Sequence, residues 1–206
     1  TREAIYDAMA RKETWATSGT RIVVRVFGGF DFAKARPGDR DWVRVGYKNG
    51  VPMGGDLKRA ANGAAPRLLI ASSKDPNSGN LDRIQVIKGW VDAAGKTHDR
   101  IYDVAWSGNR RIGSDGKLPA VGNSVDVKNA SYTNTIGSPE LATVWKDPDF
   151  DPSVPAFYYV RVLEIPTPRW STYDAKALGI DPPKDFPATI QERAWSSPIW
   201  YTPGGI

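Results

Sequence analysis

Two short stretches of this chain carry oxygen donors at close spacing. One is Asp147-Pro148-Asp149-Phe150-Asp151-Pro152, the other Asp75-Pro76-Asn77-Ser78-Gly79-Asn80. Both have the composition of a calcium loop, since Ca²⁺ is held by carboxylate and carbonyl oxygens. The first departs from the EF-hand pattern, which needs Gly at its sixth position and Glu at its twelfth, where Pro152 and Tyr158 stand. A solvated Asp-Pro turn is the competing reading of each. A third stretch, Thr17-Ser18-Gly19 followed by Arg21, offers hydroxyls, backbone amides and a guanidinium that could donate to an anionic or carbonyl oxygen. A plain helix C-cap at Ser18-Gly19 competes with it. Arg21, Arg25 and Arg161 could gather an anion, or pair with acids at an interdomain surface.

Other chemistry is excluded. Cysteine is absent, which removes disulfides, thiolate metal sites and cysteine nucleophiles. His98 is the one histidine, so a zinc site built from several histidines is impossible; following a Gly-Lys turn, it is expected to be exposed and without a catalytic role. No phosphate-cradling loop, dinucleotide fingerprint or nucleophile elbow occurs. No catalytic residue and no cofactor are expected within this chain and, the two acidic turns aside, no metal site. Trp170, Trp195 and Trp200 form a candidate platform for sugars or polymers, against the alternative that they fill a core or a domain interface.

The elements that must position these residues read as β. Thr20 to Phe27 alternates, with Ile22, Val24 and Val26 facing one way and Arg21, Val23, Arg25 and Phe27 the other. Strands are expected at Leu68–Ser72, Arg83–Trp90, Arg100–Ala105, Ala156–Ile165 and Ile199–Tyr201. Weaker ones are expected at Trp42–Val45, Val121–Val127 and Ala130–Thr133. Residues 2–12 predict a helix capped by Thr1, and Pro139 to Trp145 predicts one or two helical turns. The 16 Pro and 20 Gly sit mostly between these runs as turn chemistry. The class is all-β: a two-sheet sandwich with long loop insertions and a short N-terminal helix.

The 206 residues, 40% hydrophobic and 25% charged, fit a globular domain and exclude a disordered or coiled-coil chain. The net charge of +5 is spread along the chain, and neither a nucleic acid nor a membrane is expected as partner. No run of about 18 apolar residues occurs. The chain opens at Thr1 with no start residue, which reads as a piece of a longer protein.

Several long stretches point to one family. They include Glu3-Ala-Ile-Tyr-Asp-Ala-Met-Ala-Arg-Lys-Glu-Thr-Trp-Ala-Thr-Ser-Gly-Thr-Arg-Ile22, Gly50-Val-Pro-Met-Gly-Gly-Asp-Leu57, and Lys74-Asp-Pro-Asn-Ser-Gly-Asn-Leu-Asp-Arg-Ile-Gln-Val-Ile-Lys-Gly-Trp90. Tyr102-Asp-Val-Ala-Trp-Ser107, Glu164-Ile-Pro-Thr-Pro-Arg-Trp-Ser-Thr-Tyr-Asp174 and Gln191-Glu-Arg-Ala-Trp-Ser-Ser-Pro-Ile-Trp-Tyr201 complete them. Together they resemble the C-terminal part of the bacterial domain-of-unknown-function family 3604. The resemblance implies a longer parent whose earlier part is a PHP-type metal-dependent barrel, with histidines and acids as ligands of a divalent metal. It is also similar to carbaryl-hydrolase-like metallohydrolases. On that resemblance residues 1–19 are a helix and turn at the edge of the upstream barrel, and residues 20–206 are the β-sandwich. No metal ligand carries over to this chain, and its partner is the upstream barrel of the same protein. Export signals are common in the family, which implies a periplasmic or secreted parent. The expected role is to brace the barrel and close one side of its cleft with Thr17, Ser18, Gly19 and Arg21. The alternative is a free-standing carbohydrate- or polymer-binding module.

Overall fold

The structure, a computed structural model, describes residues 1–32, 34–58, 60 and 63–204. It begins with α1 (Arg2–Ala10), capped by the Thr1 hydroxyl accepting from the Ala4 amide, and β1 (Trp15–Thr17). β2 (Val23–Gly29) leads to α2 (Trp42–Asn49), β3 (Gly50–Pro52) and β4 (Asp56–Lys58). β5 (Arg67–Ser73), β6 (Leu81–Val91) and β7 (Thr97–Trp106) follow. A long loop then reaches β8 (Glu140–Lys146) and β9 (Ala156–Glu164). The chain closes with β10 (Thr167–Pro168), α3 (Trp170–Leu178), β11 (Thr189–Ile190), β12 (Arg193–Ser196) and β13 (Ile199–Thr202).

Two main sheets form a sandwich. The smaller has the order β3-β2-β5-β8, antiparallel throughout. The larger is built around β9: β6 runs along one side of it, with β7 beyond, while β12 and β13 share its other side. β1 pairs with β12, and β4 runs parallel to β13. The core lies between the inner faces. Ile22, Val24, Val26, Leu68 and Ile70 from the smaller sheet side meet Ile84, Val86, Tyr158, Val160 and Val162 from the larger. The period-2 alternation of β2 and β9 is what places these side chains inward, since successive residues of a strand point to opposite faces.

The all-β class stands, with several local corrections. Trp42–Val45 is not a strand but the start of α2. The outward-facing Phe27 of β2 needs cover, and α2 supplies it: Trp42 and Tyr47 set their rings edge-on to Phe27 at 5.9 and 4.8 Å. Phe27, Phe32 and Leu69 form a second small core, against which Trp42 and Val43 pack. Pro139–Trp145 is not helical: β8 pairs with β5 from Glu140 to Lys146. In Val121–Val127 and Ala130–Thr133 the only pairing among the described residues is the isolated Asp126–Ser131 bridge. Within residues 1–19, β1 is hydrogen-bonded into the larger sheet. α1 itself ends at Ala10 with Arg11 as its C-cap, so Ser18-Gly19 does not cap it.

Candidate functional site

The turn after β1 is held from three sides. The Trp15 indole donates to the Ile22 carbonyl at 3.0 Å, across the turn. The Ser18 amide donates to the Arg193 carbonyl at 3.0 Å, and the Arg193 amide donates to Ser18 Oγ at 2.9 Å. The Ser18 hydroxyl in turn donates to Glu192 Oε2. Further on, the Arg21 amide donates to Asp75 Oδ2 at 2.8 Å, and the Asn77 amide to Asp75 Oδ1 at 2.9 Å. The calcium-like stretch from Asp75 is therefore a closed turn whose carboxylate is occupied by backbone amides. These two N–H groups, Arg21 first, hold the Asp75 carboxyl below the usual aspartate range.

A cavity of about 510 Å³ opens beside this turn. Gly19, Thr20 and Arg21 form one wall, with Asp75, Asn77 and Ser78 beside them; Tyr132, Thr167, Trp170, Tyr173 and Glu192 contribute the rest. Trp170 and Tyr173, three positions apart on α3, set their rings 5.7 Å apart at 52°. They occupy adjacent places on one helix face, as i and i+3 residues do. Behind Ser78 stands Glu164, the last residue of β9, with no exposed surface. Its Oε2 accepts from the Ser78 hydroxyl at 2.7 Å, whereas Oε1 has no hydrogen-bond partner. Thr20 Oγ1, also buried and without a hydrogen-bond partner, stands close enough to hold the Glu164 carboxyl down somewhat. Burial outweighs both hydroxyls and pushes that carboxyl above the usual glutamate range.

The cavity brings together residues that the sequence suggested for different ends. Gly19 and Arg21, candidates for a cleft, share it with Trp170, a candidate for a binding platform. Thr17 pairs with Ala194 within the larger sheet, and Ser18 is engaged with Glu192 and Arg193. Trp195 and Trp200 lie elsewhere, on the outer face of the larger sheet opposite Arg161 and Phe157. The three tryptophans therefore do not form one row. Arg25 and Arg161 are on outer faces of different sheets, and Arg161 donates to Gln85 Oε1 through Nε and Nη2 at 2.9 and 2.6 Å. His98 is half-buried, stacked on Trp90 at 5.2 Å, with Nε2 2.7 Å from Asp92 Oδ2.

Sequence reasoning passed over Glu164 and Glu192. Glu164 had a legible signal: it falls on the inward face of β9 after Tyr158, Val160 and Val162, where a carboxyl demands an explanation. Asp147, in the other acidic stretch, is buried and faces an ammonium: Lys88 Nζ lies 2.6 Å from its Oδ2. It is not a solvated turn.

The family model described as "Protein of unknown function (DUF3604)" matches residues 1–203. The chain belongs to this family. No curated protein and no solved structure matches it. Within this DUF3604 chain no group of three or more His, Asp or Glu residues is placed to hold a metal ion, among the described residues. No helix among them is long and apolar enough to cross a membrane.

Proposed function

We propose that this DUF3604 chain is the C-terminal, non-catalytic β-sandwich of a metal-dependent hydrolase, bracing a PHP-type barrel that precedes it in the same protein. The observation that carries this reading is α1. The helix is formed and capped, yet none of its residues is buried. Ile5, Tyr6 and Met9 are 65%, 70% and 64% exposed. A nine-residue helix is marginal in water by itself, because most helical stability in proteins comes from packing an apolar face. An apolar face with nothing against it within this chain is what the edge of a second domain supplies. On this reading the cavity wall at Gly19 and Arg21 faces the barrel's cleft. On the same reading, as the family resemblance implies, a divalent metal is held by histidines and acids of the barrel. The parent works in the periplasm or outside the cell.

The competing reading, a sugar- or polymer-binding module, draws on the outer face of the larger sheet. There Trp200 is exposed and Phe157 stands 5.4 Å from it. It is weakened by the separation of Trp170 from Trp195 and Trp200.

Hydrogen exchange on this chain alone and on the intact protein tests the bracing role. The α1 amides should exchange fast in the isolated chain and become strongly protected in the intact protein. Replacing Ile5 and Met9 together by Ser should leave the melting temperature of the isolated chain unchanged and lower that of the intact protein. Fast exchange of α1 in both forms, with an indifferent double variant, would remove the bracing role.

A further inference from the structure

The cavity at Gly19–Arg21 has carboxyl groups without cations. Neither Glu164 nor Glu192, both buried, has a Lys, Arg or His nitrogen within 4.0 Å among the described residues. Asp75 has Arg21, but weakly: Nε is 3.7 Å away and the Arg21 side chain is 83% exposed, directed to solvent. The ammonium of Lys74 is taken by the carbonyls of Asp75, Pro76 and Ser78, at 2.9, 3.2 and 2.8 Å. An unpaired carboxyl out of water is costly. The Glu164 carboxyl is fully buried behind the cavity wall at Ser78 and Thr20, with no partner beyond the hydroxyls of those two residues.

The rest of the lining is aromatic. Tyr132, Trp170 and Tyr173 supply three rings, and Trp170 is 71% exposed. Tyr132, Tyr173 and the Asp75 carboxylate line the same space. Ring faces attract a cation through their quadrupole, best when it is desolvated, and aromatic walls with carboxylates nearby favour ammonium ions. An ammonium group matches the aromatic lining better than a metal ion does, and among the described residues no group of three or more His, Asp or Glu side chains is placed to hold a metal. The volume, about 510 Å³, is that of a small-molecule site, which usually falls in the range of roughly 300–1,000 Å³.

We propose that this cavity binds a small organic cation, an alkylammonium group seated against the faces of Trp170, Tyr173 and Tyr132 and neutralised by Glu192, with Glu164 behind it. The proposal names the ligand chemistry of the cavity that the reading above turns toward a cleft. It rests on that reading only for the ligand's being the parent's substrate. Binding itself requires this chain alone.

Calorimetry of the 206-residue chain with choline, and with its neutral isostere 3,3-dimethylbutan-1-ol, tests it. Choline should bind saturably and the alcohol at least tenfold more weakly, a gap of about 1.4 kcal/mol. Glu192→Gln keeps an oxygen for the Ser18 hydroxyl, and Trp170→Ala removes an exposed ring, so both variants should fold and both should weaken choline at least tenfold. A melting curve confirms folding. The proposal is overturned by no saturable choline binding up to about 50 mM, by equal binding of the alcohol, by unchanged affinity in both variants, or by Ca²⁺ displacing choline competitively. Loss of the bracing role in the exchange experiment leaves choline binding intact, and absence of choline binding leaves the bracing role intact, so the two failures are distinguishable.

Discussion

Lys88 Nζ stands 2.6 Å from Asp147 Oδ2, and almost none of either side chain is exposed. The same carboxylate oxygen accepts from the Tyr158 hydroxyl at 2.6 Å, while Oδ1 takes the Asp149 amide at 2.9 Å. Lys88 also donates to the Asp149 carbonyl at 2.8 Å. This knot fastens the loop after β8 to the inner face of the larger sheet, where Lys88 interrupts an otherwise apolar run.

Removing one partner leaves the other charged and buried, a loss of about 3–5 kcal/mol. Lys88→Met should therefore lower the melting temperature by roughly 6–20 °C, at about 2–4 °C per kcal/mol for a domain of this size. The double variant Lys88→Met with Asp147→Leu should recover much of the loss, because no charge is then stranded. Thermal unfolding of the two variants checks this. A single variant within about 1 kcal/mol of the parent would mean that water reaches the pair.

Gly46 sets two physical effects against each other. It lies inside α2, where Ala is intrinsically better than Gly by about 1 kcal/mol. A Cβ there would come within 2.4 Å of the Phe27 ring. Packing should win: Gly46→Ala is expected to destabilise by about 1–3 kcal/mol, as overpacked cores do. Urea unfolding decides it, and a stabilised variant would show that α2 can shift away from β2.

The contest at Gly46 also explains what was and was not legible in the sequence. β2, β5, β6, β7 and β9 could be read because alternation is local, and each strand states its own two faces. α2 could not. Val43 and Val45 look like strand residues, and what makes the segment a helix is Phe27, which lies beyond a loop and needs cover. β8 was misread because Leu141 and Trp145 are four apart, a spacing that suits a helix equally. Its partner β5 decides, and that pairing is invisible in the segment itself. The cavity shows the same limit. Gly19 and Arg21 were singled out for one purpose, a cleft, and Trp170 for another, a binding platform. Ser18 and Glu192 meet from 174 positions apart, a closure that no local pattern announces.

Arg21 separates two roles that the sequence left open. Its side chain is 83% exposed and its ion pair with Asp75 is long, so within this chain it contributes little. Exposed pairs are worth about 0–1 kcal/mol. Arg21→Ala should leave the melting temperature of the isolated chain within about 4 °C, since its backbone amide still reaches Asp75. If, as proposed, the intact protein is a hydrolase and the guanidinium faces a reacting oxygen, the variant should lower its activity by about 10²-fold. A variant of the intact protein that melts early yet turns over substrate normally would make Arg21 an interface residue instead.

Asp75 and Glu164 flank the same cavity wall and should give stability opposite pH dependences. Asp75 has a folded pKa held down by the Arg21 and Asn77 amides. Its contribution is therefore complete above the unfolded value of about 3.9 and is lost as pH falls through the folded one. Asp75→Asn should flatten the acid limb of the stability curve below about pH 4. Glu164 runs the other way, because burial raises its folded pKa. The native state keeps a proton that the unfolded chain releases. The contribution is full below about pH 4.3 and declines as pH rises through the folded value. Glu164→Gln should remove that decline, its amide standing where Oε1 now lacks a partner and facing the Thr20 hydroxyl. Chemical unfolding midpoints from about pH 2.5 to 8 separate the two. A Glu164→Gln variant whose stability falls between about pH 4.3 and 7 as steeply as the unmodified chain's would show that burial does not raise this carboxyl and that it ionises in the folded state as it does in the unfolded one.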